Sequence, residues 1–298
     1  MTTASSVSAH TPPATSGLLV DPELPVLERS DGAVQLGWGP DTATVVVPPE
    51  GMDGFDVGVL LRLLDGRLTG EEVLAAAALR GLSPAPVREL LDELVASGVV
   101  RQAPGPSGER LRPRRVRVYG SGPLAAAIVD DLPPWEVRWV RSPVGDGHPD
   151  PAAATGCVVL ADRQVPDPRL VRALVRAGIP HLPVRIRDGR GVVGPFVLPG
   201  RSSCLRCADL VRTDLDPSWP RLATQLYGRE GQAGRAVTSA TAALAVVQIE
   251  AFFSADPSVS PAVDRTLELD LRTHRIAARR WFRHPECDCS AIASVGQA

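Results

Sequence analysis

Four of the five cysteines fall into two tight pairs, Cys204-Leu-Arg-Cys207 and Cys287-Asp-Cys289, about 80 residues apart. Two thiolates that close in sequence can turn to one ion, and two such pairs close a tetrahedral shell. Zn²⁺ is the expected occupant, because a d¹⁰ ion tolerates the geometry and favours thiolates. Once held by four sulfurs it has no open position, so its role would be a structural staple without catalysis. The alternative is four ordinary thiols, some buried as small apolar residues. The fifth, Cys157, lies in the apolar run Cys157-Val-Val-Leu160 and is expected in a core. Ser202 and Ser203 precede Cys204 with no identifiable base, so they carry no nucleophile reading. His274, in a turn, and His284, just before the second pair, could each donate to a metal ligand from behind, but a solvent-exposed place is the leading expectation for both.

A second constellation could hold a nucleotide. Arg115 to Tyr119 reads as a strand, Gly120-Ser-Gly122 as a tight turn, Pro123 to Leu132 as a helix and Val137 to Val140 as a second strand. Such a β-α-β opening brings backbone N–H groups and a helix N-terminus to phosphates. Asp162 follows an apolar strand, Gly156 to Leu160, at the end where open α/β sheets place ligand contacts. It could equally be a carboxylate that caps a helix or anchors a loop. Pro123 removes one N–H from the cradle, and Arg141 and Ser142 stand where a ribose-binding acid belongs. Gly120, Gly122 and Asp162 are therefore expected to form a vestigial nucleotide site.

The elements that must position these groups follow from the apolar pattern. Residues 1–17 read as a disordered tail rich in Ser, Thr, Ala and Pro. Three short strands, Pro25–Glu28, Ala33–Leu36 and Thr42–Val47, are separated by Gly and Pro turns. Helices follow at Phe55–Leu64, behind the capping box Thr69-Gly-Glu-Glu72, and from Ser83-Pro84. The last of these places Val87, Leu90, Leu91, Leu94 and Val95 on one face, and Val99-Val100 closes the unit as a strand. This makes a winged-helix-like unit over residues 18–103. Its third helix carries Arg88 but also Glu89, Asp92 and Glu93, which repel phosphate, so DNA reading is disfavoured. Residues 104–113 read as a linker, and Ser142 to Pro151 as a surface loop. A helix at Asp167–Ala177, a strand at Ile179–Val184, a long apolar helix at Val237–Phe253 and an antiparallel pair at Thr266–Leu271 and Arg275–Phe282 complete a second domain, 114–290, before a tail at 291–298.

Composition narrows the classes. A net charge of −2 gives no footprint for general nucleic-acid binding. All 32 basic residues are arginine, which removes every mechanism that needs a lysine ammonium. No apolar run is read as a membrane span. Paired thiols without a signal pattern point to the reducing cytoplasm. A helix apolar on all sides, as at Val237–Phe253, must be buried, partly in a core and partly against a second copy of the chain, so a homodimer is expected.

The order from Arg115 onward resembles the ubiquitin-activating-like (ThiF-type) adenylyltransferases. It is most similar to the divergent branch found with thiazole/oxazole-modified peptides, through Val193-Gly-Pro-Phe-Val-Leu-Pro-Gly-Arg-Ser-Ser-Cys204-Leu-Arg-Cys207 and His284-Pro-Glu-Cys287-Asp-Cys289. The resemblance implies an α/β chain: a winged-helix-like peptide-recognition domain, then a Rossmann-like domain with a structural zinc site. It also implies a cleft for a leader peptide between Ala43, Thr44, Val45, Val46 and Val47 and the helix bearing Val87, Leu91 and Leu94, the peptide adding as a strand. The partners it implies are the precursor peptide and a YcaO-type cyclodehydratase. The resemblance implies that active members hold ATP with a lysine and arginines on its phosphates, an acidic residue on the ribose and an Asp that helps hold the nucleotide and its metal; only that Asp has a counterpart here, Asp162, so ATP is not expected. The leading expectation is a non-catalytic leader-peptide-binding scaffold. The rivals are an ATP-dependent adenylyltransferase and a winged-helix DNA-binding regulator.

Overall fold

A computed structural model describes residues 17–103, 114–141, 156–254 and 260–289. The expected tails up to residue 16 and from 291, the 104–113 linker and the 142–151 loop lie outside the described residues. The chain divides into two compact units, Met1–Glu109 and Arg110–Ala298.

In the first unit, strands β2 (Val26–Glu28), β3 (Val34–Leu36) and β4 (Thr44–Val46) form an antiparallel sheet in that order, so β4 is an edge. Strand β1 (Leu18–Val20) pairs with β5 (Val100–Gln102), Leu18 opposite Gln102. Gly17 is itself buried, and its carbonyl accepts from the Ala103 N–H. Helix α1 (Gly54–Leu63) opens on a reciprocal box between Asp53 and Asp56, and α2 (Gly70–Ala78) on the one between Thr69 and Glu72. Each box satisfies two otherwise orphaned amides. Helix α3 (Pro84–Ala96) has Pro at its start and no side-chain cap bond from Ser83. Val87, Leu90, Leu91 and Leu94 join Val34, Leu36, Val46, Val57, Leu60 and Val73 in one core. Val95, expected on that face, is 48% exposed. Eight residues after Val87 the helix has turned about 80° beyond it, which takes the side chain out of the stripe.

The second unit is built on a seven-stranded mixed sheet. Its parallel part runs β7 (Glu136–Val140), β6 (Arg115–Tyr119), β8 (Cys157–Ala161), β9 (His181–Arg187). Antiparallel strands β10 (Arg190–Val193), β11 (Arg265–Asp270) and β12 (Arg275–Arg280) extend it. The chain leaves β6 for β7 on one side and returns to β8 on the other, so a topological switch point lies at the C-terminal ends of β6 and β8.

Helix α4 (Pro123–Asp131) and helix α8 (Arg235–Phe253) cover one face, their apolar residues meeting Val118, Val159, Val184 and Phe196. Helix α5 (Pro168–Arg176) and the cysteines share a second core with Val158 and Leu160. Helices α6 (Leu205–Leu215) and α7 (Trp219–Leu226), which the apolar pattern does not signal, fill the segment after Cys204.

Helix α8 corrects one expectation, because it is long and apolar enough by length and composition to cross a membrane. Half of that window is buried within the unit, with Ala242, Ala245 and Ile249 fully covered. Ser239, Ala243, Val247 and Glu250 form its exposed stripe.

The caps give a direct test. Asp53→Ala should cost the first unit about 1 kcal/mol in chemical denaturation, whereas Ser83→Ala, which loses no cap bond, should cost at most a few tenths.

Candidate functional site: the cysteine centre and the glycine turn

Cys204 is the residue that opens α6 and Cys207 lies in its first turn, while Cys287 and Cys289 arrive from the segment after β12. All four are buried, and their sulfurs lie within 4.8 Å of one another. The Sγ–Sγ separations are 3.8 Å for Cys204–Cys207, 3.6 Å for Cys204–Cys287 and 3.5 Å for Cys207–Cys289. Those are far beyond a disulfide bond. They match the edge of a tetrahedron with sulfurs at ~2.3 Å from a central ion, which is ~3.8 Å. The four could therefore hold one metal ion.

The electrostatics agree. Burial pushes the Cys289 thiol up, while the hydrogen bond from Cys204 draws Cys207 down. A buried cluster of this kind does not ionise at all four sulfurs unless a cation lies among them. The amides at the start of α6 favour the thiolates of the first pair. Across the centre, Arg206 donates to Asp288 at 3.1 Å. His284 Nε2 meets Asp214 Oδ2 at 2.8 Å, with only 10% of the imidazole side chain exposed. The solvent-exposed role expected for His284 is thus replaced by a bridge between the second pair's segment and α6. Cys157 lies in the core on β8, where burial pushes its thiol far up.

The glycine turn is brought to Asp162, but the carboxylate occupies it. Asp162 Oδ2 accepts from the Gly122 N–H at 2.9 Å, and Oδ1 accepts from Leu124 and Ala125 at 3.2 and 3.4 Å. These are the amides at the N-terminus of α4 that a phosphate would use. Asp162 is held at φ 69 by its own N–H donating to Val184 O and its carbonyl accepting from Gly231. An aspartate tolerates this left-handed region better than most side chains. Burial raises its pKa, against the bonds from Gly122, Ala125 and Leu124, and the nearby Glu230 carboxylate adds to the rise.

Glu230 closes the rim. It accepts from Ser121 Oγ at 3.0 Å and pairs with Arg163 at 3.6 Å. A Cβ on Gly122 would lie 2.6 Å from Asp162 Oδ1, and one on Gly120 2.5 Å from Oδ2. The glycines are thus required by the aspartate's close approach, with no nucleotide invoked. At the end of β7, where a ribose acid would stand, the Arg141 guanidinium lies 3.7 Å from the centre of the Trp139 ring, and Trp139 Nε1 donates to Gly120 O. Glu230 and Arg163 were not signalled by the sequence. They meet through an isolated bridge between segments 67 residues apart, which no local pattern announces.

The first-unit candidates separate into two groups. Val87, Leu91 and Leu94 are core residues at 0%, 5% and 2% exposure, and Val46 is buried with them. Val45 and Val47 are 48% and 72% exposed on and beside the edge strand β4, with Thr44 and Ala43 half-buried. The outward face of α3 has Arg88 within 3.9 Å of Glu71.

Two outcomes follow. Cys204→Ser should release the ion by metal analysis and lower the melting midpoint of the second unit by about 10 °C. Gly122→Ala should destabilise that unit by about 1–3 kcal/mol without any nucleotide. Combined with Asp162→Ala the two losses should fall well short of additive, since the clash partner has gone.

No family model matches the chain, and no curated protein matches it. Solved structures do. A heterocyclase in complex with substrate and cofactor aligns with a TM-score of 0.62 at 16% identity, covering 93% of this chain and 40% of that one. The heterocyclase TruD aligns at 0.56 and 15%, covering 92% and 43%. E. coli MccB with ATP aligns at 0.56 and 10%, covering 92% of this chain and 99% of that one. The chain thus spans about two fifths of the heterocyclases it matches and nearly all of MccB. The similarity to ThiF-type adenylyltransferase-fold proteins, read first from the cysteine and glycine segments, is thereby shown as a shared fold.

Proposed function

We propose that the chain is a non-catalytic peptide-binding scaffold in the modification of ribosomal peptides, presenting a precursor peptide to a YcaO-type cyclodehydratase. The observation that carries the non-catalytic part is that the chain has no lysine to clamp a triphosphate, while the Asp162 carboxylate takes up the amides of the α4 turn. Adenylyl transfer draws its rate from cationic clamps on the phosphates, which this arrangement opposes. ATP accordingly plays no part in the reading, although MccB is known with ATP. The peptide part is supported by the shared fold with a heterocyclase bound to substrate and with MccB bound to MccA.

In this reading the first unit is the winged-helix-like recognition domain. The peptide adds as a strand at the free edge of β4, where backbone groups give affinity and Val45 and Val47 offer apolar contact. Val87, Leu91 and Leu94 act from behind, holding α3 in the core, so peptide contacts on the helix fall to its outer residues. The ion of the cysteine centre is Zn²⁺, and the exposed stripe of α8 supports a homodimer.

The test is titration of the full chain with a labelled peptide encoded beside its gene. Val45→Pro and Val47→Glu should each weaken binding by roughly tenfold or more, with far-ultraviolet dichroism unchanged for the second, an exposed site. Unchanged affinity in both variants would overturn the reading. Pyrophosphate exchange with ATP that depends on Asp162 would establish the adenylyltransferase instead.

A further inference from the structure

Strand β12 ends the seven-stranded sheet, and all six of its residues are exposed. It runs in unbroken register with β11, from Arg275 opposite Asp270 to Arg280 opposite Arg265. Just beyond it the Trp281 N–H donates to Asp264 O, and the buried Trp281 Nε1 donates to Thr266 Oγ1 at 2.7 Å. The strand is thus fixed along its length, with no bulge or proline to blunt its outer edge. One row of its backbone N–H and C=O groups faces away from β11, with no strand beside it.

Charge on this edge has a single sign. Residues 264–283 carry six arginines and three acids. The acids are engaged away from the edge. Asp264 accepts from the Ser203 N–H, Glu268 pairs with Arg187 at 2.7 Å and Asp270 with Arg190 at 2.9 Å. Arg279 is near enough to Glu268 to act on its carboxyl, and Arg275 borders a hollow with Glu268 and Asp270. Arg265 and Arg280 face each other directly, and neither makes an ion pair among the described residues. Like charges set opposite each other across a sheet are destabilising. The Arg280 guanidinium lies 5.0 Å from the centre of the Phe282 ring, which is 64% exposed. Ile276, on the same face as Arg280, is 58% exposed.

We propose that β12 is a docking edge for an acidic extended segment of a partner protein, which adds to the sheet as a further strand. Backbone pairing gives the affinity and the side chains give the selection. A carboxylate beside Arg280 offsets its conflict with Arg265, further acids meet Arg279 and Arg275, and an aliphatic residue covers Ile276. A second copy of β12 is the wrong occupant, because the centred antiparallel register sets Arg275 against the copy's Arg280 at both ends. The chain has no occupant of its own either, since none of its segments outside the described residues carries adjacent acids. This edge is separate from the glycine turn and from β4, and it does not rest on the peptide reading.

The probe is a fluorescently labelled peptide, Thr-Glu-Glu-Val-Thr-Val-Glu-Thr with both ends blocked, titrated by anisotropy against the full chain at constant ionic strength. Antiparallel to β12, it sets Glu against Arg280, Arg279 and Arg275 and Val against Ile276. Saturable binding is expected, weakened roughly tenfold or more in Arg280→Glu and in Arg275→Glu. It should be unchanged in Val47→Glu, which alters the β4 edge. Arg280→Glu should melt no lower than the parent chain, because it places an acid opposite Arg265. A peptide with Lys in place of Glu should not bind the parent chain. Methylating alternate amides of the peptide should abolish binding for one of the two alternate sets, since only one row of N–H groups pairs with β12. Loss from neither set would reduce the contact to plain charge attraction and overturn the proposal. So would the absence of saturable binding, an affinity equal to the parent's in both arginine variants, or a loss confined to Val47→Glu.

Discussion

The N-terminus of α4 is the constraint around which the second unit is arranged. Four amides of a helix's first turn lack partners within the helix, and the dipole there favours negative charge. In a nucleotide-binding sheet a phosphate meets that demand from outside. Here Asp162 meets it from within, at the switch point where β6 and β8 diverge. The substitution has a chain of requirements. The turn must have glycine at 120 and 122 to let the carboxylate approach, Asp162 must adopt φ 69, and the 227–231 segment must fold over the strand end to hold it. One side chain thus accounts for features that a sequence pattern alone would attribute to a cofactor.

The cysteine centre performs a similar service at the other side of the sheet. Antiparallel strands β11 and β12 come after the long α8, and the segment following them has little apolar surface to anchor it. Four sulfurs drawn to one point fix that segment to α6 with few residues. The contacts Arg206–Asp288 and His284–Asp214 surround the centre with charge pairs that span the same junction. Partly exposed pairs of this kind contribute little by themselves, so the sulfurs dominate.

Much of this was legible from residue types. Thr69 with Glu72, the stripe from Val87 to Leu94, the two cysteine pairs and the place of Asp162 all follow from local spacing, because helix period and ligand geometry act over a few residues. Strand β1 was not legible, because three residues, Leu-Leu-Val, acquire strand character only from a partner some 80 positions later. Nor was the Asp53–Asp56 box, since an aspartate pair is a weaker signal than Thr with Glu. Helix α7 carries a mixed face with no fully buried residue, and α6 buries only Cys207 and Ala208.

The placement of the tryptophans has an optical consequence. Of the five, only Trp38 belongs to the first unit, and it is 78% exposed already. Trp135, Trp139, Trp219 and Trp281 all lie in the second, each within reach of an arginine guanidinium. Intrinsic emission therefore follows one half of the molecule and is nearly blind to the other. A fluorescence melting curve reads the sheet and its cysteine centre, and the small strand-and-helix unit must be followed by its peptide-bond absorption instead.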